Sequence, residues 1–360
     1  MTELSVVIPA VGPGSAAPDL SAWRSSSWGG PLIAIALLFG AWVAVLAVGV
    51  WSPHWWLRLA LVVPLTARSG QLFTLGHDAA HGSFSTSRTL NAVAGRLAFL
   101  PSVHVFGLWR FHHDVHHRFT NLRGHDFVWT PLTVAEYSAL PRRRRWLHRL
   151  ERHHSGLGLG WHYAIEIWAP RMLWPRQHQE VPHRRRIFID ALVLYGLLAG
   201  IGVVAWVLVE AVDPARAGDV GSWISAAVFL FVLPLIGTQL LIGFVIYLNH
   251  THPDVVWYDD IEEWARHDVQ LEGSVGQRFP GLRHALLPRR IMNHTAHHVD
   301  PGVPLGALAA AQRELVDACG NRIIRWDWSS QRFRAILAGC KLYDYHAHRW
   351  LTYEDAERKW

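Results

Sequence analysis

The sequence predicts an all-α integral membrane protein: four transmembrane helices, a re-entrant or interfacial segment, and a cytoplasmic helical cap carrying a di-metal site. Three observations predict it. Apolar residues make up 51% of the 360, and they concentrate in runs near the roughly 20 residues of helix that cross a bilayer. Arginines crowd the segments that would lie on one side of those runs. Histidines gather in three short clusters on that same side.

Taken in order, residues 1–30 are rich in Pro, Gly, Ser and Ala. They lack a basic start followed by an apolar stretch and cleavage site, so they read as a flexible cytoplasmic arm rather than a signal peptide. Residues 31–305 form one membrane domain. Its first span, about 31–51, carries no charge, and Ser52 to Trp56 link it to a weaker span at 57–75, interrupted by Pro64, Arg68 and Gln71. Arginine in lipid is expensive, so this second helix is expected to run on past the membrane surface rather than to line a wet cavity. Residues 90–108 are apolar but contain Arg96 and Pro101. A crossing there would put histidine clusters on opposite faces, so the segment is expected to be re-entrant or interfacial. Residues 160–168 read equally as a helix on the membrane surface or a packed cytoplasmic one. Spans follow at about 187–209, with Asp190 near its start, and 222–248; residues 306–360 read as a cytoplasmic helical tail.

Residues 109–186 carry 14 arginines, whereas the loop around 210–221 holds Glu210, Asp213 and Asp219 against Arg216 alone. By the positive-inside rule, both termini and every histidine cluster face the cytoplasm. The net charge of +6 is then a topology signal and an attraction to anionic lipid, not a sign of nucleic acid. Many of the 20 tryptophans flank the spans, as interfacial anchors do. Lysine is confined to Lys341 and Lys359 while arginine abounds, a bias of GC-rich bacterial genomes that suggests a bacterial inner membrane. Cys319 and Cys340 are the whole thiol complement, so no disulfide framework is expected.

The histidines carry the chemistry. His77 and His81 form HxxxH; His113, His116 and His117 form HxxHH; His294, His297 and His298 repeat HxxHH about 180 positions later. Residues three and four apart share a helix face, so each cluster aims its imidazoles at one place. Eight imidazoles exceed the four to six ligands of one ion, which argues for two metals. His250, at the end of the last span, is a plausible ninth ligand; His252 reads as a helix-terminal residue before Pro253. His153 and His154 lie among basic residues and suit a solvated or lipid-facing patch. Metal-bound imidazoles donate their other N–H to nearby acceptors, which makes Asp78, Asp114 and Asp300 candidate partners. Asn249 could hold a metal-bound water or a structural hydrogen bond. Imidazole suits Zn, Cu, Fe and Ni alike, so the residues leave the metal open.

With their flanks, these clusters resemble the histidine boxes of membrane fatty acid desaturases: Gly76–Phe84, Trp109–Asn121 and Asn293–Pro301. Tyr247–Pro253 is similar to a segment of acyl-lipid desaturases of the Δ12/ω-3 type. The resemblance covers roughly residues 70–305. It implies two iron ions held by the eight box histidines, with His250 matching a further one, and O2 as co-substrate. It also implies a long-chain fatty acid or acyl substrate, and electrons from a separate ferredoxin or cytochrome b5-like donor with its reductase. No haem-binding motif is fused at either end, and the basic stretch 142–152 would suit an acidic donor or serve as a topology signal. His112 stands outside the matching pattern. Desaturation of the acyl chain is the leading expectation; because Asn249 replaces a frequent glutamine and Val299-Asp300 departs from the usual pair, hydroxylation, acetylenation or decarboxylation to a terminal alkene on the same site is the alternative. A metal transporter or sensor is the remote alternative; the first and last spans lack the polar residues it would need.

Overall fold

The computed structural model describes residues 17–24, 29–176, 181–279 and 289–358. The first span is helix α1 (Gly29–Trp51) and the second α2 (Trp55–His81). Two shorter helices follow, α3 (Arg88–Phe99) and α4 (Phe106–Arg118). The remaining long helices are α5 (Arg184–Val212) and α6 (Val220–His250), the latter interrupted by a π-helical turn at Val228–Val232. Three of these, α1, α5 and α6, are long and apolar enough to cross a membrane. Their Ile33, Leu37, Val203, Val204, Leu208 and Ile224 side chains point outward, which in water would be untenable. α2 has the length but not the composition, because Arg58, Arg68, Gln71 and the polar residues of its last turns dilute it.

α2 is the pillar of the bundle, packed against α1, α3 and α6. Small residues let its neighbours come close: a Cβ on Gly76 would fall 2.4 Å from the Phe99 ring. The helix stops where Gly82 takes φ of 75° and its N–H returns to Ala79 O, a left-handed cap that glycine adopts without strain. α3, at about 18 Å for its 12 residues, is too short to cross a bilayer. Arg96 ties it to α5 through Asp190, Nη2 to Oδ1 at 2.6 Å. At the end of the bundle remote from the histidines, Arg58 donates to Gly49 O and Ser222 O at 3.2 and 2.8 Å. Arg216 donates there to Trp51 O and Val50 O.

The stretch at 160–168 is helical and amphipathic, packed on one side. Leu159, Gly160, Tyr163 and Ile167 pack inward, while Trp161 and Ile165 are exposed. Gly160 sits so close to α6 that a Cβ would meet Leu240 Cα at 2.2 Å.

The all-α expectation is corrected by two small sheets. β1 (Val275–Arg278) pairs in parallel with β2 (Ile324–Asp327), and β3 (Leu342–Asp344) pairs antiparallel with β4 (Arg349–Leu351). The tail is therefore mixed, and it is not separate. Leu308, Leu315, Phe333 and Tyr343 join Trp129, Tyr247, Trp257 and Met292 in the largest apolar core, beneath the histidines. The described part of the N-terminal arm joins it too: Leu20 is buried, and Trp23 Nε1 donates to Glu314 Oε2 at 2.6 Å. Residues 17–24 thus depart from a loose arm, while 1–16 and 25–28 lie outside the described residues.

Candidate metal centre

All nine candidate histidines come together, and they divide into two groups. His77, His81, His113, His117 and His297 bring one ring nitrogen each within 4.8 Å of one another. His116, His250 and His298 form the second group. His294 belongs with them, its Nε2 lying 2.9 Å from that of His250 and 3.2 Å from that of His298.

Helix geometry explains the division. At 3.6 residues per turn, positions i and i+4 are about 40° apart, whereas adjacent positions are about 100° apart. In α4, His113 and His117 therefore look one way and His116 another. In the short helix α7 (His294–Val299) the allocation is reversed: His294 and His298 serve the second group and His297 the first. Each HxxHH thus contributes to both groups. α2 supplies two residues to the first, and the end of α6 supplies His250 to the second.

The contacts within each group fit a bound cation better than hydrogen bonds. Nε2 of His113 lies 3.1 Å from those of both His77 and His117, and Nε2 of His117 is 3.0 Å from that of His297. A neutral ring nitrogen carries one proton or one lone pair and cannot satisfy two such neighbours. For a metal–nitrogen distance of about 2.1 Å, ligand atoms at right angles sit about 3.0 Å apart, matching these separations. Burial holds His77 down to about 3 and keeps His81, His113, His117, His294, His297 and His298 well below the ordinary imidazole range. The rings are then neutral with lone pairs available, the form a metal requires. Nine imidazoles without a carboxylate or thiolate suit a borderline transition metal rather than Mg²⁺ or Ca²⁺.

The second group is the better anchored. His116 Nδ1 donates to Asp126 Oδ1 at 2.9 Å, His298 Nδ1 to Gln270 Oε1 at 3.1 Å, and His294 Nδ1 to Ile291 O at 3.2 Å. In the first group, Nδ1 of His77 and of His117 is buried without a hydrogen-bond partner among the described residues, and in the second group only that of His250 is. Asp126 and Gln270 escaped the sequence reading because loops bring them in. Between His116 and Asp126 the chain turns at Asn121 (φ 60°) and Gly124 (φ 81°), and the conspicuous Gly124 was the available signal.

The acidic residues chosen from adjacency do other work. Asp114 faces Arg110 at 3.8 Å on the outer side of α4, because a residue next to His113 points about 100° away from it. Asp300 accepts from Arg24 Nε at 2.9 Å and from Gly302 N. Asp78 Oδ2 accepts from Leu305 N at 2.8 Å, and its Oδ1 stands 3.7 Å from His77 Nδ1; it clamps the end of α2 to the loop after α7. Asn249 is buried beside His250, its Oδ1 without a hydrogen-bond partner among the described residues. His252 and His112 lie outside both groups.

A narrow apolar slot leads to the histidines. It runs between α2 and α6 from Gly70 to His77, and its walls include Phe73, Trp109, Tyr163, Ile242 and Val245. His77, His113, His116, His250, His294 and Asn249 line it as well.

The sequence model of the fatty acid desaturase family matches residues 53–330. The chain is 28% identical over 304 residues to an omega-6 fatty acid desaturase, chloroplastic, of Glycine max, spanning 81% of this chain and 64% of that protein. It is 28% identical over 300 residues to the protein of the same name from Arabidopsis thaliana, covering 81% and 60%. To an sn-1 oleoyl-lipid 12-desaturase of Picosynechococcus sp. it is 27% identical over 337 residues, covering 92% and 88%. The chain spans about three fifths of the length of the plant relatives.

Proposed function

The chain belongs to the fatty acid desaturase family, and from that membership we propose that it is a membrane di-iron oxidase that uses O2 and two external electrons to desaturate a long-chain fatty acyl substrate. One observation carries the reading: nine imidazoles converge at the end of a slot whose other walls are almost wholly apolar. A polar substrate would leave its groups unpaired there. A polymethylene chain would be held by burial alone, at about 0.8 kcal/mol per CH2. The name of the Picosynechococcus relative, an sn-1 oleoyl-lipid 12-desaturase, supports an oleoyl-type chain.

His77, His81, His113, His117 and His297 would hold one iron, and His116, His250, His294 and His298 the other. When bound, the pair supplies O2 activation strong enough to oxidise an unactivated C–H bond. The chain's own residues do the rest. Phe73, Trp109, Ile242 and Val245 exclude water and orient the acyl chain past the centre. Asn249, with its Oδ1 unpartnered at the junction of slot and histidines, would hold a water or orient His250. Asp126, Gln270 and Ile291 O fix which imidazole nitrogen faces inward.

The arrangement in the membrane is part of the proposal. α2 would be the second of four spans, and α3 with the turn before α4 an interfacial segment. Both termini and the metal centre would face the cytoplasm of a bacterial inner membrane, as the arginine asymmetry supports. Electrons would come from a separate ferredoxin or cytochrome b5-like protein with its reductase.

Metal analysis of purified protein tests the centre, and two irons per chain are expected; stoichiometric zinc without iron would overturn the oxidase reading. Lipid profiling of a host expressing the gene, beside a His297→Ala control, tests the outcome. A new internal double bond is expected. A hydroxy acid or terminal alkene in its place would overturn desaturation while leaving the oxidase.

A further inference from the structure

A second cleft opens beside the apolar slot, between the helix Arg142–Glu151 and the stretch from Leu157 to Arg171. Phe127 and Ile167 line both spaces, so the two are neighbours through that wall. The character changes across it. The cleft presents Arg144, Arg152, Arg171, His148 and His162 with two carboxylates, Glu151 and Glu166. Both carboxylates are engaged, Glu166 with Arg144 at 3.3 Å and Glu151 with His162 at 3.0 Å.

Arg152 and Arg171 are left without a carboxylate partner among the described residues. Arg152 is only 3% exposed, its guanidinium lies 5.4 Å from the centre of the Trp129 ring, and its Nε has no hydrogen-bond partner. Arg171 lies 4.9 Å from the centre of the Phe127 ring and donates to Glu166 O. A guanidinium held out of water without a counter-ion is costly, and its planar fork matches an oxyanion. On the two elements that form the cleft, Trp146, Leu150, Leu157, Trp161 and Ile165 are exposed, side chains suited to the head-group level of a bilayer.

We propose that this cleft seats the anionic head of the acyl substrate, a phosphate or carboxylate held by Arg152 and Arg171, while the chain passes Phe127 and Ile167 into the slot. The proposal rests on the acyl-chain reading of the slot. The polar end of the substrate is thereby fixed, and with it how far along the chain the reacting carbons lie.

Binding of oleoyl ligands to the purified full-length protein in neutral detergent tests it. Dioleoylphosphatidylglycerol, oleate and uncharged dioleoylglycerol share the chain and differ in the head. At least one anionic ligand should bind ten or more times more tightly than dioleoylglycerol, and its identity tells phosphate from carboxylate. Arg152→Gln and Arg171→Gln should each remove about tenfold, as for loss of one charge-assisted hydrogen bond, without changing dioleoylglycerol binding. Arg143→Gln, an exposed charge on the same helix outside the cleft, should change nothing. Arg152→Lys, with gel filtration and iron content, separates a misfolded variant from a lost contact and should keep most of the preference. Equal affinities for all three ligands, or a preference that survives Arg152→Gln and Arg171→Gln combined in one chain, would overturn the proposal alone. If no oleoyl ligand binds, the acyl reading of the slot falls with it.

Discussion

Replacing Asp126 by asparagine should weaken one metal and leave the other nearly untouched. The Asp126 side chain is buried and accepts from three donors. Oδ1 takes His116 Nδ1 and Val128 N, and Oδ2 takes Asn121 N, all at 2.9 Å. Asparagine keeps the shape but has one acceptor, so in either orientation its amide N–H₂ opposes at least one of those donors. The lost charge-assisted bond and the unpaired donor together cost about 1.5–3 kcal/mol of fold stability. At the centre, a lost outer partner of a ligating histidine lowers metal affinity about 10–100-fold, or about 1.4–2.7 kcal/mol. Only His116 of the four-histidine group contacts Asp126, and none of the five-histidine group does. Competition against a graded series of chelators is the assay. The wild type should give up two irons per chain, and the variant should give up one of them at a 10–100-fold weaker chelator strength while the other shifts less than about threefold. Equal shifts of both ions, or none, in a variant that elutes and melts as a folded protein would refute the division into two groups.

Other outcomes follow from the same geometry. His294→Ala and His297→Ala should each abolish activity and lower iron from two per chain towards one, whereas His252→Ala, outside both groups, should retain both ions by metal analysis. Gly70→Leu builds a side chain into the slot, where even a Cβ would lie 2.5 Å from Leu241 Cδ2; oleoyl binding should fall at least tenfold with iron content unchanged, and loss of iron instead would mean that the bundle had shifted. Arg96→Met strands Asp190, which is 7% exposed with Gly107 N as its remaining partner; stability should drop by about 2 kcal/mol, below the range for fully buried pairs because Arg96 is partly exposed, read as a lowered melting temperature.

Much of the centre was legible because its information is local. The spacings of His77/His81, His113/His116/His117 and His294/His297/His298 fix which side chains share a helix face before any tertiary structure exists. The expectation that each cluster aims at one place is corrected: each HxxHH is split between the two groups, because neighbouring His116 and His117 cannot face one ion from one helix. What was not legible depends on chain segments meeting across loops. Asp126 reaches His116 through left-handed residues, Gln270 reaches His298 from another segment, and adjacency pointed instead to Asp114, which helical rotation carries away. The strands escaped for a similar reason. β1 and β2 are four residues each and pair in parallel across 49 positions, so neither has a turn or hairpin partner nearby to announce it. The weakness of α2 as a span was legible in Arg68 and Gln71, but their pairing was not: Arg68 Nη1 donates to Gln71 Oε1 at 2.6 Å.

At the opposite pole of the molecule, Arg58 and Arg216 occupy the negatively polarised end of α1, donating to carbonyls that its last turn leaves unpaired. The two contacts differ in when the chain can make them. Gly49 precedes Arg58 by nine residues, so that bond is available as soon as the first helical hairpin exists. Ser222 and Arg216 come more than 150 residues later and must find a hairpin already formed. The first two helices therefore have a latch of their own, one that needs no residue beyond the first histidine cluster, and the later helices dock on its geometry. Assembly of the metal centre would begin from the end of the molecule farthest from the metals.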